Sequence, residues 1–235
     1  MIEKTLKTIH GKLRVKIPTQ LNDVNLGQMM AMQAKANLND IEAISILSGI
    51  ALAELQQVKD VKDFQVFGDA VLALSYQIKY LYNSDVIPKQ ISFSLPGSNR
   101  PKTIKMIQNL AIEPAGAFMA VREIIAEEVN NHIKQFGEGD WQESFNPSLN
   151  TCCQVLAHYF YCKTTGKKYN EYEAEEFITE IKKMRVTEAL PIAKHFFTCY
   201  PSLSTPKISF WHRLQQLWKS GQVSNPSKNL NTSTP

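Results

Sequence analysis

The chain has 235 residues, of which 43% are hydrophobic and 20% charged, a composition usual for a globular protein with a substantial core. Its net charge is +4 and its cations alternate with carboxylates, whereas nucleic-acid-binding proteins carry a denser basic stripe. No apolar run approaches the roughly 20 residues that span a bilayer. We therefore expect neither a nucleic-acid partner nor a membrane partner.

The four cysteines, Cys152, Cys153, Cys162 and Cys199, have spacings unlike the framework of a disulfide-rich secreted domain. The N-terminal segment lacks the apolar stretch and the small-residue cleavage site of a secretory signal. We therefore expect reduced thiols and a cytoplasmic protein.

The first predicted elements are a strand and a capped helix. Residues 12–17 alternate polar and apolar, which predicts a half-buried strand that Pro18 ends. After a loop, Asn25 and Gln28 have the spacing of a capping box, in which two residues exchange hydrogen bonds at a helix start.

Two more capping boxes are predicted farther along the chain. Asn39 with Glu42 and Asn170 with Glu173 have the same spacing, so each pair should begin a helix. Between these pairs, residues 63–82 carry apolar side chains three and four positions apart, which predicts an amphipathic helix.

A hairpin is predicted next. Residues 91–95 and 103–107 alternate as strands do, and the intervening residues 96–101 are rich in turn formers. With the strand at residues 12–17, these segments would complete a three-stranded sheet, the minimum that is usually stable.

The second half of the chain is predicted to be helical. Pro114 suits the first turn of a helix that ends near residue 135. Residues 149–162 are apolar nearly all round, as expected of a central buried helix, and an acidic helix follows at about 173–183. A last core helix begins near Thr187, with Pro191 in its first turn.

These elements predict a mainly α protein with a small β element, an α+β multi-helix domain with a short antiparallel sheet. The domain should cover residues 1–203, with degenerate repeats at about 12–90 and 101–203. We expect a linker and an amphipathic helix at 204–219. Residues 220–235 carry almost no large apolar side chain, so they should be disordered.

The repeat is a strand, a loop and a helix that recur 89 residues apart. Residues 15–17 align with 104–106, and Gly27 aligns with Gly116. Five aligned positions are identical and four differ conservatively. A duplicated unit without a catalytic constellation points to a scaffold or binding protein.

One set of side chains has the chemistry of a metal site. His158 and Cys162 lie four residues apart on one predicted helix, as His195 and Cys199 do on another, and tetrahedral zinc favours such donors. Their aromatic and aliphatic neighbours favour core packing instead. No nucleophile elbow or Gly-rich phosphate loop is present. We therefore expect no enzyme, with no catalytic residue, cofactor or metal.

The predicted helix near the C-terminus carries a continuous apolar stripe. Its members have the spacing of one helix face, and they are Phe210, Trp211, Leu214, Leu217 and Trp218. Tryptophan is enriched at binding hot spots, so we expect the stripe to bind a helical protein partner. The alternatives are that the helix packs back on the domain or lies on a membrane surface.

The order of these elements resembles that of bacteriophage tail-assembly chaperones. In that family a short strand leads into a helix, an apolar helix ends near Ser-Gly, and a helix with an acidic start follows. The corresponding residues here are 16–18, 24–28, 44–50 and 60–64, within a resemblance that covers residues 12–82. Residues 166–169 and 193–197 look like a degenerate counterpart in the second half.

The resemblance implies a non-enzymatic helper in virion assembly. It would bind a helical tail component such as the tape-measure protein, in the host cytoplasm, and a homo-oligomer is compatible with it. A structural virion component, or another interaction protein, is the first alternative. A small metal-binding regulator or enzyme is the second.

Overall fold

The computed structural model describes residues 1–83, 86–97, 100–106, 113–137 and 145–199. All of these belong to one unit, Met1–Ser204. Ile107 of the predicted hairpin, the apolar stripe and the tail lie outside the described residues, and the domain boundaries stay a prediction.

The described elements are mainly helical. The first are β1 (Ile2–Thr8), β2 (Gly11–Ile17), α1 (Leu26–Gln33), α2 (Asp40–Ser48), α3 (Leu52–Leu55) and α4 (Gln65–Ile78). Next come β3 (Gln90–Phe93), β4 (Lys102–Lys105), α5 (Ala115–Phe136), α6 (Leu149–Thr165), α7 (Glu171–Glu176), α8 (Ile178–Ile181) and α9 (Val186–Cys199). Short 3-10 helices occur at Leu21–Asp23, Val61–Phe64 and Leu81–Asn83. The predicted class, mainly α with a small β element, is confirmed.

The predicted three-stranded sheet is wrong, because the described strands form two separate antiparallel pairs. β3 pairs with β4, as the predicted hairpin requires. β2 pairs instead with β1, which places Leu6 opposite Leu13. Only Ile9 and His10 separate β1 from β2, so closing this local pair costs little chain entropy.

The capping boxes at Asn25 and Asn39 form in both directions. The third is incomplete: Asn170 accepts a hydrogen bond from the Glu173 N–H, but the Glu173 carboxylate does not return one to the cap. That carboxylate accepts hydrogen bonds from Tyr161 Oη and Lys167 Nζ, each at 2.5 Å. The Glu173 carboxylate therefore binds Tyr161 and Lys167 instead of the backbone N–H of Asn170, which is the half of the capping box that is missing.

The core is built around α6, which is buried on every side as predicted. Helices α5 and α9 pack against it. Glu128 of α5 holds its start, since the two carboxylate oxygens accept hydrogen bonds from Ser148 N at 2.6 Å and Thr151 Oγ1 at 2.8 Å. Pro191 lies inside α9 and not in its first turn, because α9 already begins at Val186.

Distant residues complete the start of α1. Leu26 N donates to Met184 O and Gly27 N to Lys182 O, both at 2.8 Å, and Val186 N donates to Val24 O at 2.9 Å. The first N–H groups of a helix have no partner within the helix, so these carbonyls satisfy donors that would otherwise be unpaired.

In both copies of the predicted repeat a strand precedes a helix, β2 before α1 and β4 before α5. Both helices begin at aligned residues, Leu26 and Ala115, and the glycine is the second helical residue in each. A Cβ at Gly27 would lie 3.1 Å from Lys182 Cβ, and one at Gly116 would lie 2.6 Å from the Tyr169 ring. Both glycines thus allow a neighbouring residue, Lys182 or Tyr169, to lie close to the start of the helix. The duplication itself stays a prediction.

Candidate partner-binding surface

Of the predicted metal ligands that the structure describes, His158 is buried, whereas Cys162 and His195 are half-buried. His158 is only 4% exposed, and its Nδ1 lies 2.8 Å from Tyr169 Oη. Burial lowers the pKa of His158, so its neutral form is favoured. Cys162 is half-buried, and the ring of His195 lies 5.9 Å from that of Phe196.

Within the described ranges, no group of three or more potential metal ligands occurs. The side chain of Cys199 is outside them, so the expectation that these four residues bind no zinc stays a prediction.

The adjacent cysteines of α6 are buried and have no disulfide partner among the described residues. Burial raises the pKa of Cys153 to about 11 and also raises that of Cys152. Nucleophilic attack requires the thiolate, so neither sulfur has the character of a nucleophile near neutral pH.

Several large apolar side chains are exposed around α4. Val61 is 75% exposed and Leu72 is 56% exposed, and Val66, Tyr76 and Tyr80 are exposed as well. Single exposed apolar residues are ordinary, but several around one helix mark a candidate interaction surface.

A groove of about 500 Å³ lies between the start of α2 and the first half of α4. Its lining residues are Asp40, Ile41, Val61, Phe64, Gln65, Gly68, Asp69 and Leu72. We call this feature the α2–α4 groove.

Sequence periodicity explains how α4 forms one wall of the groove. Phe67, Ala70 and Leu74 are buried in the core, which turns Leu72 outward on the opposite side of the helix. Gly68 has no side chain to fill the space, and a Cβ built there would lie 3.5 Å from Asp40 Oδ2.

The rim of the α2–α4 groove is acidic. Neither Asp40 nor Asp69 forms an ion pair within the part of the chain that the structure describes. Nearby Asp63 is neutralised by Lys4 at 2.9 Å. Asp40 also lies in the first turn of α2, where the helix dipole stabilises a carboxylate. The groove therefore combines apolar walls with two carboxylates that are available to cations.

The sequence predicts α4 but not this surface. Its apolar pattern selected the inward residues, whereas Val66, Leu72 and Tyr76 lie outside that stripe. These extra apolar residues on the polar side of the helix were the signal that was missed. The predicted C-terminal stripe, Phe210 to Trp218, lies outside the described residues and stays a prediction.

No protein-family model, curated protein or solved structure matches this chain. Among the helices of the described ranges, none is long and apolar enough to cross a membrane.

Proposed function

We propose that this chain is a non-catalytic binding protein whose α2–α4 groove receives an amphipathic helix from a protein partner. The observation that supports this proposal is the exposure of Val61 and Leu72 in a groove whose rim carboxylates form no ion pair among the described residues. A helix with an apolar stripe and flanking cations has the complementary chemistry.

The apolar walls supply the affinity and the rim supplies the orientation. Fully burying a side chain such as Leu72 contributes about 1.5–3 kcal/mol. Association itself costs about 4–15 kcal/mol, so the partner must bury several such side chains along the groove. Asp40 and Asp69 favour a partner with Lys or Arg beside its apolar stripe, because they repel a partner that carries carboxylates at those positions.

The resemblance to tail-assembly chaperones gives the proposal a specific form. Residues 60–64 carry part of that resemblance, and Val61 and Phe64 from this segment line the groove. The partner would then be the tape-measure protein or another long helical tail component, bound during virion assembly. Mass spectrometry of purified particles separates this role from that of a structural virion component, because a chaperone is absent from the finished particle.

The test compares three baits of the whole chain, the wild type and two variants that differ in the position of one added charge. Leu72→Glu puts a carboxylate in the groove, whereas Tyr172→Glu puts one on α7, where Tyr172 is 79% exposed. Each bait is used for affinity capture from the native source after thermal melting has verified that it folds. We expect the wild type and Tyr172→Glu to retain a common protein that Leu72→Glu loses.

The captured protein then supplies a direct measurement. A synthetic peptide covering its amphipathic segment should bind the wild type, gain helical circular dichroism, and bind Leu72→Glu at least about tenfold more weakly. Equal retention by all three baits, or a peptide that binds Leu72→Glu as tightly as the wild type, would overturn the proposal.

A further inference from the structure

The outward face of the β1–β2 pair is rich in cations. Lys12, Arg14 and Lys16 alternate along β2 and are all exposed. Their cross-strand partners on β1 are Lys7, Thr5 and Glu3 respectively, which are also exposed. Directly opposed residues lie on the same face of an antiparallel pair, so Lys7 and Lys12 are neighbours.

A third segment extends this face. Thr8 forms an antiparallel bridge with Val58, and Lys59 N donates to Lys7 O at 2.9 Å. Lys59 therefore lies opposite Lys7 on the edge of β1 that β2 leaves free, and Lys59 is exposed. Three ammonium groups, those of Lys12, Lys7 and Lys59, form a row across the three segments.

Within the described residues, no carboxylate neutralises this row. Like charges directly opposite each other destabilise strand pairing. The carboxylate on this face, that of Glu3, accepts a hydrogen bond from Arg14 Nε at 2.5 Å. Among the described residues, no ion pair involves Lys7, Lys12 or Lys59. An external anion would relieve the repulsion.

We infer that this face binds an acidic polypeptide segment of a partner. The cationic face consists of Lys7, Lys12, Arg14, Lys16 and Lys59. Alternate residues on a strand are about 6.8 Å apart, so an extended segment with carboxylates at alternate positions has the same spacing as the cations of β2. The Nε of Arg14 is hydrogen-bonded to Glu3, so a partner carboxylate would pair with the terminal nitrogens of its guanidinium. None of the five residues of the cationic face lines the α2–α4 groove.

The same observations favour an acidic polypeptide over nucleic acid. The cationic face carries no aromatic side chain, whereas surfaces for single-stranded nucleic acid stack bases on aromatic rings. Residues 1–204 have equal numbers of cations and carboxylates, because the four excess cations, Lys207, Arg213, Lys219 and Lys228, all follow Ser204. A nucleic-acid-binding domain is instead positive over a wide surface.

The probe is a fluorescein-labelled peptide of ten glutamates, and its binding to the full chain is measured by fluorescence anisotropy at low salt. The triple variant Lys7→Gln, Lys12→Gln and Lys59→Gln removes the row. We expect this variant to bind the peptide at least about tenfold more weakly than the wild type. It should be at least as stable in urea, because the repulsion between opposed lysines is gone.

A matched control removes three exposed lysines elsewhere, by Lys89→Gln, Lys134→Gln and Lys168→Gln, and so has the same net charge. Both variants are also measured at about 0.1 M salt, where the Debye length is about 10 Å and exposed charges farther away are screened. There this control should bind the peptide within about twofold of the wild type. Equal losses in the two variants, or no binding by the wild type, would overturn the proposal. Tighter binding of a thymidine decanucleotide than of the peptide would assign the face to nucleic acid and also overturn it.

Discussion

Glu128 shows how one side chain joins two helices of the core. Its carboxylate belongs to α5, yet both oxygens accept hydrogen bonds from the first turn of α6. A negative charge at that place also interacts favourably with the helix dipole. Glu127, the preceding residue on the same helix, is exposed and therefore serves as a matched control.

Glu128→Gln should therefore lower the free energy of unfolding by about 1–2 kcal/mol, because a charge-assisted pair of hydrogen bonds is replaced by weaker neutral contacts. Urea denaturation at neutral pH measures the change. Glu127→Gln is the control and should change the free energy by less than about 0.5 kcal/mol. Similar losses of unfolding free energy in the two variants would show that the hydrogen bonds from Glu128 to α6 do not stabilise the fold.

His158 predicts how stability depends on pH. Burial lowers its pKa from the ordinary value of 6.5, so the unfolded chain binds this proton more readily than the folded protein does. The folded protein must then lose stability as the pH falls through about 6.5, and this contribution is constant above it. Urea denaturation across this range should give a flatter pH dependence for His158→Gln than for the wild type. An identical slope in both proteins would contradict the assignment.

At the scale of elements, local signals were predicted well and distant pairings were not. The capping boxes at Asn25 and Asn39 depend on residues three positions apart, so the sequence alone contains the whole motif. The box at Asn170 is incomplete because the Glu173 carboxylate binds Tyr161, a residue on another helix. The sheet was wrong for the same reason, since alternation identifies a strand but not its partner.

Two helical glycines predict opposite responses to one substitution. Gly68→Ala should raise the free energy of unfolding by about 0.5–1 kcal/mol, because alanine favours helix and its Cβ meets Asp40 at an ordinary 3.5 Å. Gly116→Ala should lower it, because its Cβ would lie 2.6 Å from the Tyr169 ring. Urea denaturation of both variants checks the signs. Stabilisation by both would mean that Tyr169 moves aside without cost.

At the scale of the whole molecule, the candidate sites were only partly predictable. The C-terminal stripe was identified from its spacing, whereas the α2–α4 groove requires two segments, near Asp40 and Leu72, that only the fold brings together. The cationic face likewise depends on Lys59 lying beside Lys7. Surfaces assembled from separate segments leave no single periodic pattern in a sequence.

Truncation after Ser204 tests the predicted stripe. All of the described elements precede Ser204, so we expect the melting temperature to remain nearly unchanged. Loss of the two tryptophans of the stripe should abolish co-purification of the partner that the wild type retains. Thermal melting and affinity capture provide the two measurements. A large fall in melting temperature with partner capture intact would identify the stripe as part of the core.

The hydrogen bonds that complete α1 constrain when the protein can fold during synthesis. The carbonyls of Lys182 and Met184 are translated more than 150 residues after the N–H groups of Leu26 and Gly27 that they accept. Contacts between residues so far apart in sequence raise the contact order, and a higher contact order slows folding. The first half of the chain therefore leaves the ribosome before its own first helix can be completed. We therefore expect two fragments divided between α4 and α5 to gain helical circular dichroism when they are mixed.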